Sequence, residues 1–324
     1  MVYLKLSSIF TIYKPPASKI PLMYYIVFPL LYVVSLLPFF ILYFISDGIS
    51  FLLSTVFKYR REVVLNNLKI AFPEKTEVEI KAIAKQFYTY FTDTFIESLK
   101  FISISKKQVL KRSTGSFEVI NEMIDKGYNI NLMAGHQFNW EYANLLCAIN
   151  LKIPYVGIYM PIENKIFNKI FYDIRGRYGT VLISASDFKN ERHDVFKKQY
   201  LLGLAADQNP GSPLSGYWLN FFGRPTPFVT GPEKGAVLNN AAVVYIGFKK
   251  VKRGYYKFET TLLAEQSANT KTGELTCLYR DILEKTIKED PANYLWSHRR
   301  FKFEWKEEYK NLWVDVPGSS SFQI

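Results

Sequence analysis

Cysteine is nearly absent: Cys147 and Cys277 are the only two in 324 residues. Two thiols exclude a disulfide-stapled scaffold and fit a reducing compartment or indifference to redox. Histidine is almost as scarce, with three in the chain, so each can be weighed in turn. Negative charge is also in short supply, at 29 Asp+Glu against 41 Lys+Arg, which leaves a formal net charge of +12. That balance calls for an anionic partner, and nucleic acid, an anionic membrane surface or an acidic carrier protein all qualify. No internal repeat is present. TGPEKG, the one segment with a superficial likeness to a P-loop, lacks the required glycine and G-K-S/T spacing. The chain is rich in apolar residues, 48% hydrophobic and 17% aromatic. This excludes a disordered chain and allows a sizeable core.

Charge disappears altogether over 27 positions, from Ile20 to Ser46. Within them IVFPLLYVVSLLPFFILYFI is long enough to cross a bilayer core of roughly 30 Å as a helix. Pro29 and Pro38 predict kinks, and Tyr24, Tyr25, Tyr32 and Tyr43 suit the interfaces. The run is too long for a cleaved signal peptide, and no A-x-A-like site follows it. GISFLLSTVF reads as a second apolar piece lying at the surface. The KYRR run, Lys58 to Arg61, would then face lipid headgroups. Lys5, Lys14 and Lys19 balance Lys58, Arg60 and Arg61, so orientation and the choice between spanning and interfacial placement stay open. The expected organisation is an N-terminal anchor over 1–57, a catalytic domain over 58–310 and a tail over 311–324, Ser-rich from Gly318 to Ser321.

Apolar residues at three- and four-residue intervals through Ile80, Ile83, Ala84, Phe87, Phe91 and Phe95 predict a helix, opened by Pro73 and Glu74. From about Gly127 strands and helices alternate. NINLMA, PYVGIYM, TVLIS and LLGLAA read as strands. WEYANLLCAIN, a stretch ending near Arg177 and the charged run 187–199 read as helices. AAVVYIGFKKV and YYKFETTLL suggest an antiparallel pair turning at Gly254, before a last helix over about 271–289. The pattern predicts an α/β fold, with a mostly parallel mixed sheet covered by helices on both faces.

His136 follows the strand NINLMA and precedes a helix, and ligands of open α/β sheets bind at such carboxyl strand ends. Glu141 lies five residues on. On one continuous helix the two would point about 140° apart. They meet only if His136 sits in the turn and Glu141 in the first turns of the helix. A carboxylate on one imidazole nitrogen would fix the tautomer and leave the other nitrogen to take a proton. A histidine capping the helix, with a solvent-facing Glu141, is the plain alternative. Asp207 also emerges at a strand end, in AADQNPG, where Asp207, Asn209, Pro210 and Gly211 would equally make an ordinary turn. FFGRPTPFVTGPEKG reads as an apolar-walled loop bearing Arg224, followed by a helix. WSHRRFK supplies His298, Arg299, Arg300 and Lys302, either a surface patch or a docking site for acidic carrier or lipid phosphate. His193 is expected to be exposed and Cys147 to be a buried core thiol.

The sequence resembles the bacterial lipid A late acyltransferases, the lauroyl and myristoyl transferases of the lysophospholipid acyltransferase superfamily. The likeness runs in order through RREVVLNNLKIAFPEK, GHQFNWE, IRGRYG, AADQNPG, FFGRPTPFVTGPEKGA and NYLWSHRRFKFEW. It implies an apolar anchor before an αβα domain, an H-x4-D/E catalytic pair and no metal or cofactor. Glu141, rather than Asp, places the chain nearer the lipid A branch than the glycerol-phosphate acyltransferases. By resemblance, His136 is the general base, Glu141 orients it, and Arg175 or Arg177 supports the oxyanion of a thioester under attack. Asp207 and Gln208 would position the acceptor or a helper arginine, and Arg224 would lie beside the acyl and acceptor sites. Asn209 stands where relatives commonly carry a second carboxylate.

The implied reaction moves a fatty acyl chain from acyl carrier protein to a hydroxyl of a lipid A precursor. A lysophospholipid or aminoacyl lipid is the alternative acceptor. The implied place is the bacterial inner membrane, with the catalytic domain on the cytoplasmic face. Attack is expected to be direct, since no serine elbow or activated cysteine is evident. A nucleic-acid binder would account for the charge but not for the uncharged run, and no recognised binding motif is present.

Overall fold

The computed structural model describes residues 21–315. Lys5, Lys14, Lys19 and the Ser-rich stretch Gly318 to Ser321 lie outside the described residues. The apolar run forms two helices, α1 (Tyr24–Leu36) and α2 (Phe39–Phe51), the second continued by a π turn over Leu52–Val56. The break falls at Leu37, whose backbone is extended because the following Pro38 disfavours the helical region. Pro29, by contrast, lies inside α1. The carbonyls freed at the break are met from below. Lys100 Nζ donates to Ser35 O at 2.7 Å and to Leu37 O at 3.0 Å, and Ser103 Oγ donates to Ser35 O at 2.8 Å. GISFLLSTVF, expected as a separate piece, belongs to the continuous helix Phe39–Val56. By length and composition that is the one helix among the described residues able to cross a membrane. Phe40 and Phe44 project from it, while Ser46 faces inward and donates to Asp93 Oδ1 at 2.8 Å.

Next come α3 (Arg61–Ala71) and the long α4 (Glu77–Lys100). The start of α4 is set by Thr76, not by Pro73 and Glu74. Thr76 Oγ1 accepts from Glu79 N, and the Glu79 carboxylate accepts from Thr76 N. Then follow α5 (Lys106–Arg112), β1 (Ser113–Gly115), α6 (Glu118–Asp125), β2 (Ile130–Ala134), α7 (Trp140–Asn150), β3 (Tyr155–Tyr159), α8 (Lys165–Gly176), β4 (Val181–Ser184), α9 (Phe188–Val195) and β5 (Leu201–Ala205). A hairpin of β6 (Gly216–Phe221) and β7 (Arg224–Val229) leads to α10 (Gly231–Leu238). The chain then forms β8 (Ala242–Lys252), β9 (Tyr255–Ala264) and α11 (Glu274–Glu289).

The main sheet has the order β1-β9-β8-β2-β5-β3-β4, and only β8 and β9 pair antiparallel. Their turn is at Gly254, whose φ of +75° suits glycine. The mostly parallel mixed sheet expected from the sequence is therefore present. Alternate strand residues divide between two cores. Met133, Val243 and Tyr245 join a cluster with α3, α4 and α11, while Leu132, Val244 and Ile246 join one with α6, α7 and α8. FFGRPTPFV is not a loop. It makes the β6–β7 hairpin, turning at Phe222 and Gly223, both with positive φ. Pro225 and Pro227 are tolerated because β7 has a single partner strand.

Candidate active site

Strands β2 and β5 are parallel neighbours, with Ala134 opposite Ala205. His136 and Asp207 each lie two residues beyond those partners, so the register sets them side by side. His136 Nδ1 meets Asp207 Oδ1 at 2.6 Å, and His136 N donates to Asp207 Oδ2 at 2.9 Å. One carboxylate thus fixes both the ring and the backbone of His136. On the other side of the ring, Gln208 Nε2 donates to His136 Nε2 at 3.2 Å. With that donor on Nε2, the neutral ring carries its proton on Nδ1, toward Asp207. Asp207 is 1% exposed, while a quarter of the His136 side chain reaches solvent.

Burial disfavours charge on both partners, yet each stabilises the other. The imidazole is raised above its ordinary 6.5 by the charge and hydrogen bond of Asp207, and Asp207 is held below the usual carboxylate range by His136.

Glu141 occupies the first turn of α7, whose N-cap is Asn139, accepting from Glu141 N at 3.0 Å. Its carboxylate does not meet the imidazole. It accepts instead from Arg175 Nε at 3.0 Å to both oxygens and from Arg175 Nη2 at 2.5 Å. The expected histidine–Glu141 contact is therefore replaced by two pairs, His136 with Asp207 and Glu141 with Arg175. His136 does lie in the turn and Glu141 in the helix, as their spacing requires. Local spacing carries no sign that a neighbouring strand delivers Asp207 to the ring first. Burial disfavours the Arg175 guanidinium, but the charge and hydrogen bonds of Glu141 overcome this and raise its pKa.

His136, Glu141 and Arg175 line one cavity of about 320 Å³. Away from them it runs between α7 and the sheet, walled by Leu132, Cys147, Ile158, Leu182, Ile246 and Phe248. Cys147 is buried, and burial pushes its thiol up to about 12, which makes it wall rather than nucleophile.

The other expected residues lie apart. Arg177 Nη1 donates to Phe101 O at 2.6 Å and ties the end of α8 to that of α4. Arg224 opens β7, opposite Phe221 and outside the wall of this cavity. Arg299 and Lys302 are not buried, but Arg300 is 1% exposed and so is not a surface docking group. It donates to Asn209 Oδ1 at 2.8 Å and Pro227 O at 2.9 Å, with Phe228 stacked at 4.2 Å. His298, expected only as part of that patch, turns toward the site, where its Nε2 accepts from Asn209 N at 3.3 Å. Burial and the nearby Arg300 charge lower its pKa to about 4, so it stays neutral there. His193 is exposed.

An open α/β sheet with a carboxylate-held histidine at adjacent strand ends, above an apolar chamber, defines a class of enzyme. Such a site suits proton abstraction next to a long apolar substrate. The chain belongs to the bacterial lipid A biosynthesis acyltransferase family, whose match covers residues 14–303, and it is an acyltransferase. It is similar to the lipid A biosynthesis lauroyltransferase of Escherichia coli (strain K12), at 24% identity over 275 residues. The match covers 84% of this chain and 89% of that protein. It is also similar to the lipid A biosynthesis palmitoleoyltransferase of the same organism and to a lipid A biosynthesis acyltransferase of Shigella flexneri. Each is 22% identical over 280 residues, covering 82% of this chain and 86% of the relative.

Proposed function

We propose that this protein transfers a fatty acyl chain from acyl carrier protein to a hydroxyl of a lipid A precursor, at the cytoplasmic face of the bacterial inner membrane. The observation that carries the reading is His136 seated on Asp207 at the head of the apolar cavity. The acceptor hydroxyl displaces Gln208 from Nε2 and gives its proton to that nitrogen. Asp207 keeps the ring in the competent tautomer and stabilises the imidazolium that forms. The oxygen then attacks the thioester carbonyl, the carbonyl electrons move onto oxygen, and collapse expels the thiolate of the carrier, which recovers the proton from Nε2.

Arg175 supplies charge for the oxyanion. Its Nε and Nη2 are held by Glu141, which fixes the guanidinium in the cavity wall. The role expected of Glu141 thereby passes to Asp207, and Glu141 positions Arg175. The hydrocarbon chain lies along Leu132, Cys147 and Phe248. Attachment to the membrane is through α2 and its exposed phenylalanines, for which one apolar helix is the support.

The test supplies the full chain, in neutral detergent, with acyl carrier protein bearing a labelled acyl chain and competing acceptors: a lipid A precursor, a lysophospholipid and an aminoacyl lipid. Label entering the lipid A precursor, and its loss in His136→Ala, is the expected result. Transfer confined to another lipid would overturn the acceptor, and full turnover by His136→Ala would overturn the mechanism.

A further inference from the structure

A second cavity, of about 520 Å³, opens where the end of α2 and its π turn meet the first halves of α3 and α4. Its wall carries Arg61, Lys81 and Lys85 with the hydroxyls of Ser50, Ser54 and Thr55. Asp47 also lines the cleft, but it and the nearby Glu77 are engaged with other cations. Asp47 accepts from Arg253 Nη1 at 3.1 Å and Nη2 at 2.7 Å, and Glu77 pairs with Lys69 at 2.5 Å. Among the described residues, none of the three cations forms an ion pair.

Arg61 is the first residue of α3, where the helix dipole disfavours a cation. Lys81 and Lys85 stand four apart on α4, where like charges repel. An anion in the cleft relieves both. Part of the wall is apolar, since Phe51, which is exposed, and Leu65 line the cleft. An anion with hydrocarbon tails therefore matches the whole surface, whereas a free anion matches only its floor.

We propose that this cleft binds the phosphate of an anionic membrane phospholipid, with the headgroup among Arg61, Lys81 and Lys85 and the acyl chains along α2. The site is separate from the His136 cavity, and the proposal rests on the reading that α2 lies in lipid. Occupancy would fix the depth and tilt at which the catalytic domain meets the membrane.

The test uses the full chain in neutral detergent micelles, titrated with short-chain phosphatidylglycerol, short-chain phosphatidylcholine or inorganic phosphate, with Tm as the readout of binding. Phosphatidylglycerol is expected to raise Tm saturably and the other two are not. Arg61→Gln with Lys81→Gln and Lys85→Gln should weaken the response roughly 100-fold, and each single lysine change about 5-fold. The same loss of charge on α5, by Lys106→Gln, Lys107→Gln and Lys111→Gln, should leave it intact. An unchanged response in the cleft variants, equal loss in the α5 variant, or a full response to inorganic phosphate overturns the proposal. Flotation of the wild-type chain with pure phosphatidylcholine vesicles at high salt tests the membrane reading separately. A chain that stays in the aqueous fraction would sink that reading, whatever the titration shows.

Discussion

A histidine that takes a proton from a hydroxyl must be neutral, so on the proposed mechanism the pH at which His136 loses its own proton would set the acid limit of the reaction. Asp207 raises that pKa above 6.5. Activity is therefore expected to rise with pH through an apparent pKa above 6.5, since the protonated fraction falls in that range. Asp207→Asn removes the charge that raises it, so the acid limb of kcat/KM should move to lower pH while kcat falls on the order of 10³-fold. A limb unmoved in Asp207→Asn would show that another group titrates. Glu141→Gln should behave differently, lowering kcat through a misplaced Arg175 with little change in the limb. His136, Glu141, Arg175 and Asp207 are all legible in the sequence, because each sits at the end of a readable strand or helix. Which carboxylate meets which cation is not. Pairing follows from the β2–β5 register, and strand order is set by packing between segments some seventy residues apart.

Among the elements, those made by local sequence are legible and those made by tertiary contact are not. Helix α7 and the turn at Gly254 carry their own apolar period and glycine. The β6–β7 hairpin is hidden because Pro225 and Pro227 argue against a strand unless β7 lies at an edge. The split of the apolar run is half legible, since Pro29 and Pro38 look alike in sequence. Only the second interrupts the helix, because Lys100 and Ser103 receive the carbonyls exposed there. Lys100→Met should leave those carbonyls without the ammonium and destabilise the α1–α2 junction by about 1–3 kcal/mol. Thermal unfolding in detergent would read this as a lower Tm. A Tm equal to wild type would mean that water or the neighbouring hydroxyl takes over.

For the whole molecule, the net charge of +12 and the exposed apolar residues of α1 and α2 would, on the proposed reading, divide the work of finding substrates. On the proposed reading, lipid would reach the protein along the apolar helices, whereas a soluble acyl carrier would find it by diffusion, where the field of the protein matters most. Of Arg299, Arg300 and Lys302, Arg299 and Lys302 face solvent, and Arg300 is spent inside, on Asn209 and Pro227. Arg299→Glu with Lys302→Glu is therefore expected to raise KM for acyl carrier protein several-fold and to make that KM much less sensitive to salt. The kcat should change little, because neither side chain lines the cavity. A small acyl thioester without the carrier makes the comparison decisive. Steering acts on the acidic protein surface and not on the thioester, so the double variant should use the small donor as well as wild type. Equal losses with both donors would mean that the patch supports the fold around Arg300, and the carrier would then have to dock on another basic face.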